Sequence, residues 1–213
     1  MISRRTDFTP DLQTSEEAID APSTRVVEAL INAMEAKSPF LRGHSHRVAN
    51  VAASLASELR LPDEEVERIR LAGQLHDIGK IGVREAILDK PDQLTPEEFA
   101  HVQEHVNIGL NILAPLPQLR RIRSYIAHQH ERIDGSGYPL RLRGDDVSLG
   151  GRIIGAADAL DACTSPRAYR DAMTLDEAIA WLRSLGPRGI CPTVLPALER
   201  IANKGKVLVF IND

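Results

Sequence analysis

The chain has 213 residues, 43% of them hydrophobic, which suits one sizeable domain or two small ones and excludes a disordered chain. Its 26 lysines and arginines against 30 aspartates and glutamates leave a net charge of -4, with no basic excess for a nucleic-acid polymer or an acidic membrane. No apolar run approaches the roughly 20 residues that span a bilayer, the N-terminus does not read as a signal peptide, and Cys163 and Cys191 are too few for a disulfide framework, so a cytoplasmic location with reduced thiols is expected.

Residues 1–22 are polar and aperiodic, with Pro10 and Pro22, and are expected to form a linker or arm leading into a domain over 23–213. From Ser23 onward a helical period dominates. Val27, Leu30, Ile31 and Met34 form one stripe, Val48, Val51, Ala52, Leu55 and Leu59 a second, and Val66, Ile69 and Ala72 a third. Pro62 suits the first turn of the third helix and Gly79 its stop. Thr95, Pro96 and Glu98 predict a capped start for a helix whose core stripe is Phe99, Val102 and Val106. Further helices are predicted near 116–131, 150–163, 174–185 and 192–203, with a short strand at 207–211. The expected fold class is all-α: a helical bundle with additional C-terminal helices and a short C-terminal strand.

All seven histidines lie between positions 44 and 130. His76 shares the buried face of Ile69 and Ala72 and has Asp77 beside it; His105 lies near the Val102/Val106 stripe; His44 and His46 open the second helix. His44, His76 and His105 stand on separate helices near acids, and such residues converge only in a bundle core, where helical proteins build metal sites. His46 and His101 are taken as helix-surface residues. At about 100° per residue, His130 lies about 40° from Ile126 and faces the interior, Gln129 lies about 60° to the other side, and His128 is about 160° away. The run Asp134-Gly135-Ser136-Gly137 then predicts a tight turn that presents Tyr138 and Pro139. Downstream, Asp158 and Asp161 fall on the same side as Ile154 and Ala157; acids among small apolar residues need a partner or a cation, so one or both are expected to reach the pocket. Arg167 and Arg170 suit either phosphate oxygens or surface ion pairs.

Over residues 38–200 this series resembles the HD-GYP family of metal-dependent phosphohydrolases. The resemblance runs through His44-Ser45-His46-Arg47-Val48, Leu75-His76-Asp77-Ile78-Gly79-Lys80, Leu88-Asp89-Lys90-Pro91, His105, His130-Glu131 with the glycine turn and Tyr138-Pro139, Arg152-Ile153-Ile154, Asp158-Ala159-Leu160-Asp161-Ala162 and Arg167-Ala168-Tyr169-Arg170. It implies an HD-domain bundle that holds two divalent metal ions, iron or manganese, and cleaves the 3′–5′ phosphodiester of cyclic di-GMP to pGpG or GMP with a metal-activated bridging water. One ion would be held by His44, His76, Asp77 and Asp158, with Asp77 bridging to a second held by His105 and His130. Lys80 would lie near the scissile phosphate, with Tyr138, Asp161, Arg167 and Arg170 on the substrate side. The Gly-Tyr-Pro loop is a further surface for protein partners, and a homodimer stays open.

Two departures bear on these implications. Gln129 replaces the first of two adjacent histidines in the family pattern, which weakens the second metal position unless His128 substitutes. Phe40 stands where three-metal members have a glutamate, so two metals are the expected maximum. Two alternatives to cyclic di-GMP hydrolysis remain open: a catalytically weakened module that binds a cyclic dinucleotide or a protein, and a phosphohydrolase of another nucleotide.

Overall fold

A computed structural model of the chain describes residues 21–37, 41–166, 171–186 and 189–205. The arm expected at 1–22 and the strand expected at 207–211 therefore lie, apart from residues 21 and 22, outside the described residues. Among the described residues ten α-helices follow in order: α1 Ala21–Glu35, α2 His44–Glu58, α3 Asp63–Leu75, α4 Glu85–Leu88, α5 Pro96–Gln103, α6 His105–Leu113, α7 Arg120–His128, α8 Leu149–Thr164, α9 Leu175–Ser184 and α10 Leu195–Asn203. No β-strand occurs among the described residues; an isolated bridge pairs Asp134 with Arg143. The all-α expectation holds.

α2 lies at the centre, packed against α3, α8 and α10, and α7 closes against α3 and α8. The three predicted apolar stripes meet in one core that includes Ile31, Met34, Val48, Leu55, Ile69 and Leu75. Two predicted helices are interrupted. The third stops at Leu75 and gives way to a 3-10 turn, Ile78–Gly82, rather than running on to Gly79. The helix starting at Thr95 has its expected capping box but divides at Glu104. α6 buries His105, Val106, Gly109 and Leu113, whereas α5 buries no residue fully, and Phe99 is 48% exposed instead of joining a core stripe.

Helix α1 and the turn that follows it brace the bundle at two points. Glu35 accepts from the backbone N–H groups of Gly43 and Ser45, satisfying donors at the start of α2. Lys37 donates to the carbonyls of Lys80, Ile81 and Val83, tying down the end of the 3-10 turn. Glycine permits the closest approaches. A methyl group at Gly79 would collide with the His105 carbonyl oxygen of α6, and one at Gly155 with the Gln129 carbonyl oxygen at the end of α7. Each partner is backbone and cannot swing aside, so these are steric requirements of the fold.

Gly79→Ala is therefore expected to destabilise the protein by about 2 kcal/mol or more through overpacking against fixed backbone. Urea unfolding of the metal-free variant against the parent reads this directly.

Candidate metal centre

Asp77 sits where α3 hands over to the 3-10 turn, and both its carboxylate oxygens point into a buried cluster of imidazoles. Oδ2 lies 3.3 Å from His44 Nε2 and 3.4 Å from His76 Nε2, while Oδ1 lies 3.5 Å from His105 Nε2. Asp158, reaching in from α8, places Oδ1 3.5 Å from His44 Nε2 and 3.9 Å from His76 Nε2. The histidines also meet in pairs, with Nε2 separations of 3.3 Å for His44 and His76 and 3.2 Å for His105 and His130. Two ligand groups result, His44–His76–Asp77 and Asp77–His105–His130, and within each group the donor atoms lie within 4.8 Å of one another. The expected ligands are thus brought together, with Asp77 common to both groups and Asp158 at the edge of the first.

Hydrogen bonds on the far side of the rings fix what these atoms can do. His76 Nδ1 donates to the Gly73 carbonyl and His105 Nδ1 to the Val102 carbonyl, both at 2.7 Å. A carbonyl can only accept, so in the neutral rings the proton is on Nδ1 and the Nε2 lone pair faces Asp77. Asp77 Oδ1 is buried without a hydrogen-bond partner among the described residues. Buried acceptors facing acceptors repel unless a cation or proton lies between them, and mixed nitrogen and oxygen donors suit a divalent transition metal. The residues fit a metal.

The electrostatics agree. Burial opposes charge on His44, but hydrogen bonds to Asp161 and Asp77 and the charges of Asp77 and Asp158 outweigh it and raise its pKa to about 9. Burial likewise opposes charge on Asp77, yet the charge of His76 in its protonated form, the Lys80 ammonium and the hydrogen bonds that protonated His44 and His76 donate hold it well below the usual carboxylate range. His105 is lowered, chiefly by burial, and His130 is lowered to about 3 by burial and by the facing His105. Tyr138 stacks on His130 with ring centroids 4.7 Å apart. Burial, with the charges of Asp158 and Asp77, pushes its phenol pKa up, so the hydroxyl keeps its proton.

Other expected site residues fall as follows. Lys80 pairs with Asp77 Oδ2 from the 3-10 turn. Asp161 is buried behind His44, where it accepts from His44 Nδ1 at 2.7 Å and is held by Arg47 Nε at 2.6 Å. Its distance of three residues from Asp158 placed it on the right face of α8, but the Arg47 pairing that turns it toward α2 depends on tertiary contact. Gln129 is buried and donates its amide N–H to the His76 carbonyl at 2.8 Å, leaving Oε1 without a partner among the described residues. His128 does not replace it: Nδ1 accepts from the Ser148 backbone N–H at the start of α8. Arg167, Arg170 and Phe40 lie outside the described residues.

Glu131 was not singled out individually by the sequence reasoning. Buried beside His130, it accepts from the backbone N–H groups of Leu140, Arg141 and Leu142 at 2.6, 3.0 and 2.9 Å, and so holds the loop that carries Tyr138. An acid directly between a ligand histidine and a glycine turn was the available signal.

Comparison with known proteins adds relatives. A family model described as "HD domain" matches residues 28–188. The chain is 38% identical over 95% of its length to a 3′3′-cGAMP-specific phosphodiesterase of Vibrio cholerae, covering 44% of that protein. It is 35% identical over 89% of its length to a cyclic di-GMP phosphodiesterase response regulator of Xanthomonas campestris, covering 50% of it, and 36% identical over 83% to a cyclic di-GMP phosphodiesterase of Thermotoga maritima, covering 48%. The chain thus spans half or less of the length of these relatives. Among solved structures it resembles a cyclic GMP-AMP-specific phosphodiesterase of Vibrio cholerae, with a TM-score of 0.55 and 36% identity over 86% of this chain and 42% of that one. The fold also matches an HDG"Y"P protein from Bdellovibrio bacteriovorus, with a TM-score of 0.65 and 19% identity over 85% of this chain and 63% of that one.

A proton and a cation compete for His44 Nε2. Because the raised pKa keeps that ring protonated below about 9, apparent affinity for the first metal is expected to rise with pH toward 9, by up to about tenfold per unit from this group. Mn(II) titrations of metal-free protein between pH 6.5 and 9 check it; a flat profile would contradict the assignment. Asp161→Ala releases the far side of His44 and is expected to weaken that first metal by about 10- to 100-fold, read as metal content after dialysis, with Asp161→Asn losing less.

Proposed function

We propose, on the premise that this chain belongs to the HD domain family, that it is a metal-dependent phosphodiesterase that hydrolyses the 3′–5′ bond of a guanine-containing cyclic dinucleotide, giving pGpG from cyclic di-GMP. The observation that carries the reading is the pair of buried histidine groups sharing Asp77. Relatives named for cyclic di-GMP and for 3′3′-cGAMP both match this chain, and guanosine is common to those two dinucleotides. We assign His44, His76, Asp77 and Asp158 to one divalent ion and Asp77, His105 and His130 to a second, iron or manganese. Bound there, the ions supply Lewis-acid activation of water and neutralise charge on the phosphodiester. Lys80, partly exposed beside Asp77, offers an ammonium to a phosphate oxygen. Tyr138 offers a neutral hydroxyl donor. Arg167 and Arg170, which lie outside the described residues, are proposed from the sequence resemblance alone as partners of the substrate phosphates. Action in the cytoplasm is part of the proposal.

A second reading, that of a binding module without turnover, is favoured by one observation: Gln129 is fastened to the His76 carbonyl instead of offering an imidazole. Metal-loaded protein prepared without oxygen and given cyclic di-GMP and 3′3′-cGAMP separates the two. Linear product is expected, lost on chelation and in Asp77→Ala. Folded protein carrying two metals and yielding no product from either dinucleotide would overturn the enzymatic reading, and activity gained in Gln129→His would then support the module.

A further inference from the structure

We propose that Phe99 is the outer shelf of the site and stacks against one nucleobase of the bound dinucleotide. The inference rests on the cyclic-dinucleotide reading above. Phe99 stands on α5, a helix with no fully buried residue, and nearly half of its surface is exposed. The helix is nonetheless held in place. Glu98 closes the capping box with Thr95 and also pairs with Lys90 at 2.7 Å. The Phe99 ring meets Tyr138 edge-on, with centroids 6.2 Å apart and planes at 81°. Tyr138 in turn lies flat on His130, whose Nε2 faces His105. An aromatic series therefore leads from a metal-ligand histidine outward to an exposed phenyl group.

The Tyr138 step is fixed from below. Its backbone N–H donates to the His130 carbonyl at 3.2 Å, and Glu131 holds the residues that follow. A diester centred on Asp77 carries a base on each side. A flat base arriving over the Tyr138 edge would cover the phenyl ring and remove apolar surface from water. Phenyl stacking is tolerant of base identity because every base offers a π-face. Phe99 therefore strengthens binding of guanine and adenine alike, and choice between cyclic di-GMP and 3′3′-cGAMP is made elsewhere in the site.

The test uses the whole metal-loaded chain, with metal content measured on each variant. Phe99→Ala is expected to raise KM for both dinucleotides by the same factor, about 5- to 100-fold, relative to Ki for inorganic phosphate, a competitive inhibitor without a base. Phe99→Trp should restore KM, whereas Phe99→Leu, apolar but without a π-face, should not. An unchanged KM in Phe99→Ala, or full recovery in Phe99→Leu, overturns the shelf. If the parent turns over neither dinucleotide, the proposed hydrolysis fails separately, and the same factors are then read as Kd for the Mn(II)-loaded protein. No binding of either dinucleotide overturns both.

Discussion

The structure is organised around one buried carboxylate with two separate sets of neighbours. Asp77 turns Oδ2 toward His44 and His76 and Oδ1 toward His105. Those imidazoles belong to different helices, so α2, the exit of α3 and the start of α6 must all approach within a few ångströms of a single side chain. Ordinary helix packing keeps axes about 8–10 Å apart. Long side chains bridge that spacing, and one backbone approach is tighter: α3 ends at Leu75, the chain turns through a 3-10 segment, and Gly79 lies directly against the His105 carbonyl. The glycine after the His76-Asp77 pair is thus as much part of the site as its ligands, although it carries no chemistry.

Aiming the imidazoles requires their far sides to be occupied. His76 and His105 each donate to a carbonyl three residues earlier, on Gly73 and Val102, so their orientation is a local property of the chain. His44 has a non-local partner, Asp161 of α8, which is itself held by Arg47 one turn beyond His44. Ion pairs buried to this degree contribute little net stability once desolvation is counted. Their effect here is directional: Arg47 holds the carboxylate, and the carboxylate holds the ring with Nε2 facing Asp77.

Much of this was legible in the sequence, and what was not has a common physical origin. Apolar periodicity located the core helices because burying a stripe is what makes those helices form. The helical wheel separated inward-facing His130 from His128, whose Nδ1 accepts instead at the start of α8. Failures occurred where two segments meet in space. Phe99 follows the spacing of Val102 and Val106, yet α5 projects beyond the bundle and leaves it half-exposed. Asp161 lies on the face of Asp158, but pairing with Arg47 draws it behind His44. Periodicity states which face of a helix is inside; it does not state which neighbour that face will meet.

The net charge of -4 first argued against anionic polymers as ligands, and the structure changes what that number means locally. Asp161 is matched by Arg47, which leaves Asp77 and Asp158 beside the Lys80 ammonium and, without metal, the protonated His44 ring. Burial resists protonated, charged forms of His105 and His130, so those rings supply lone pairs and little positive charge. Without added cations these charges nearly cancel, and the site offers a phosphodiester little net attraction. Divalent ions bound there, displacing the proton of His44, would make it positive, and Lys80 could then turn from Asp77 toward a phosphate oxygen. On the proposed function, metal occupancy and anion binding are one linked equilibrium, in which the acids that attract the metals are what would allow the site to receive an anion.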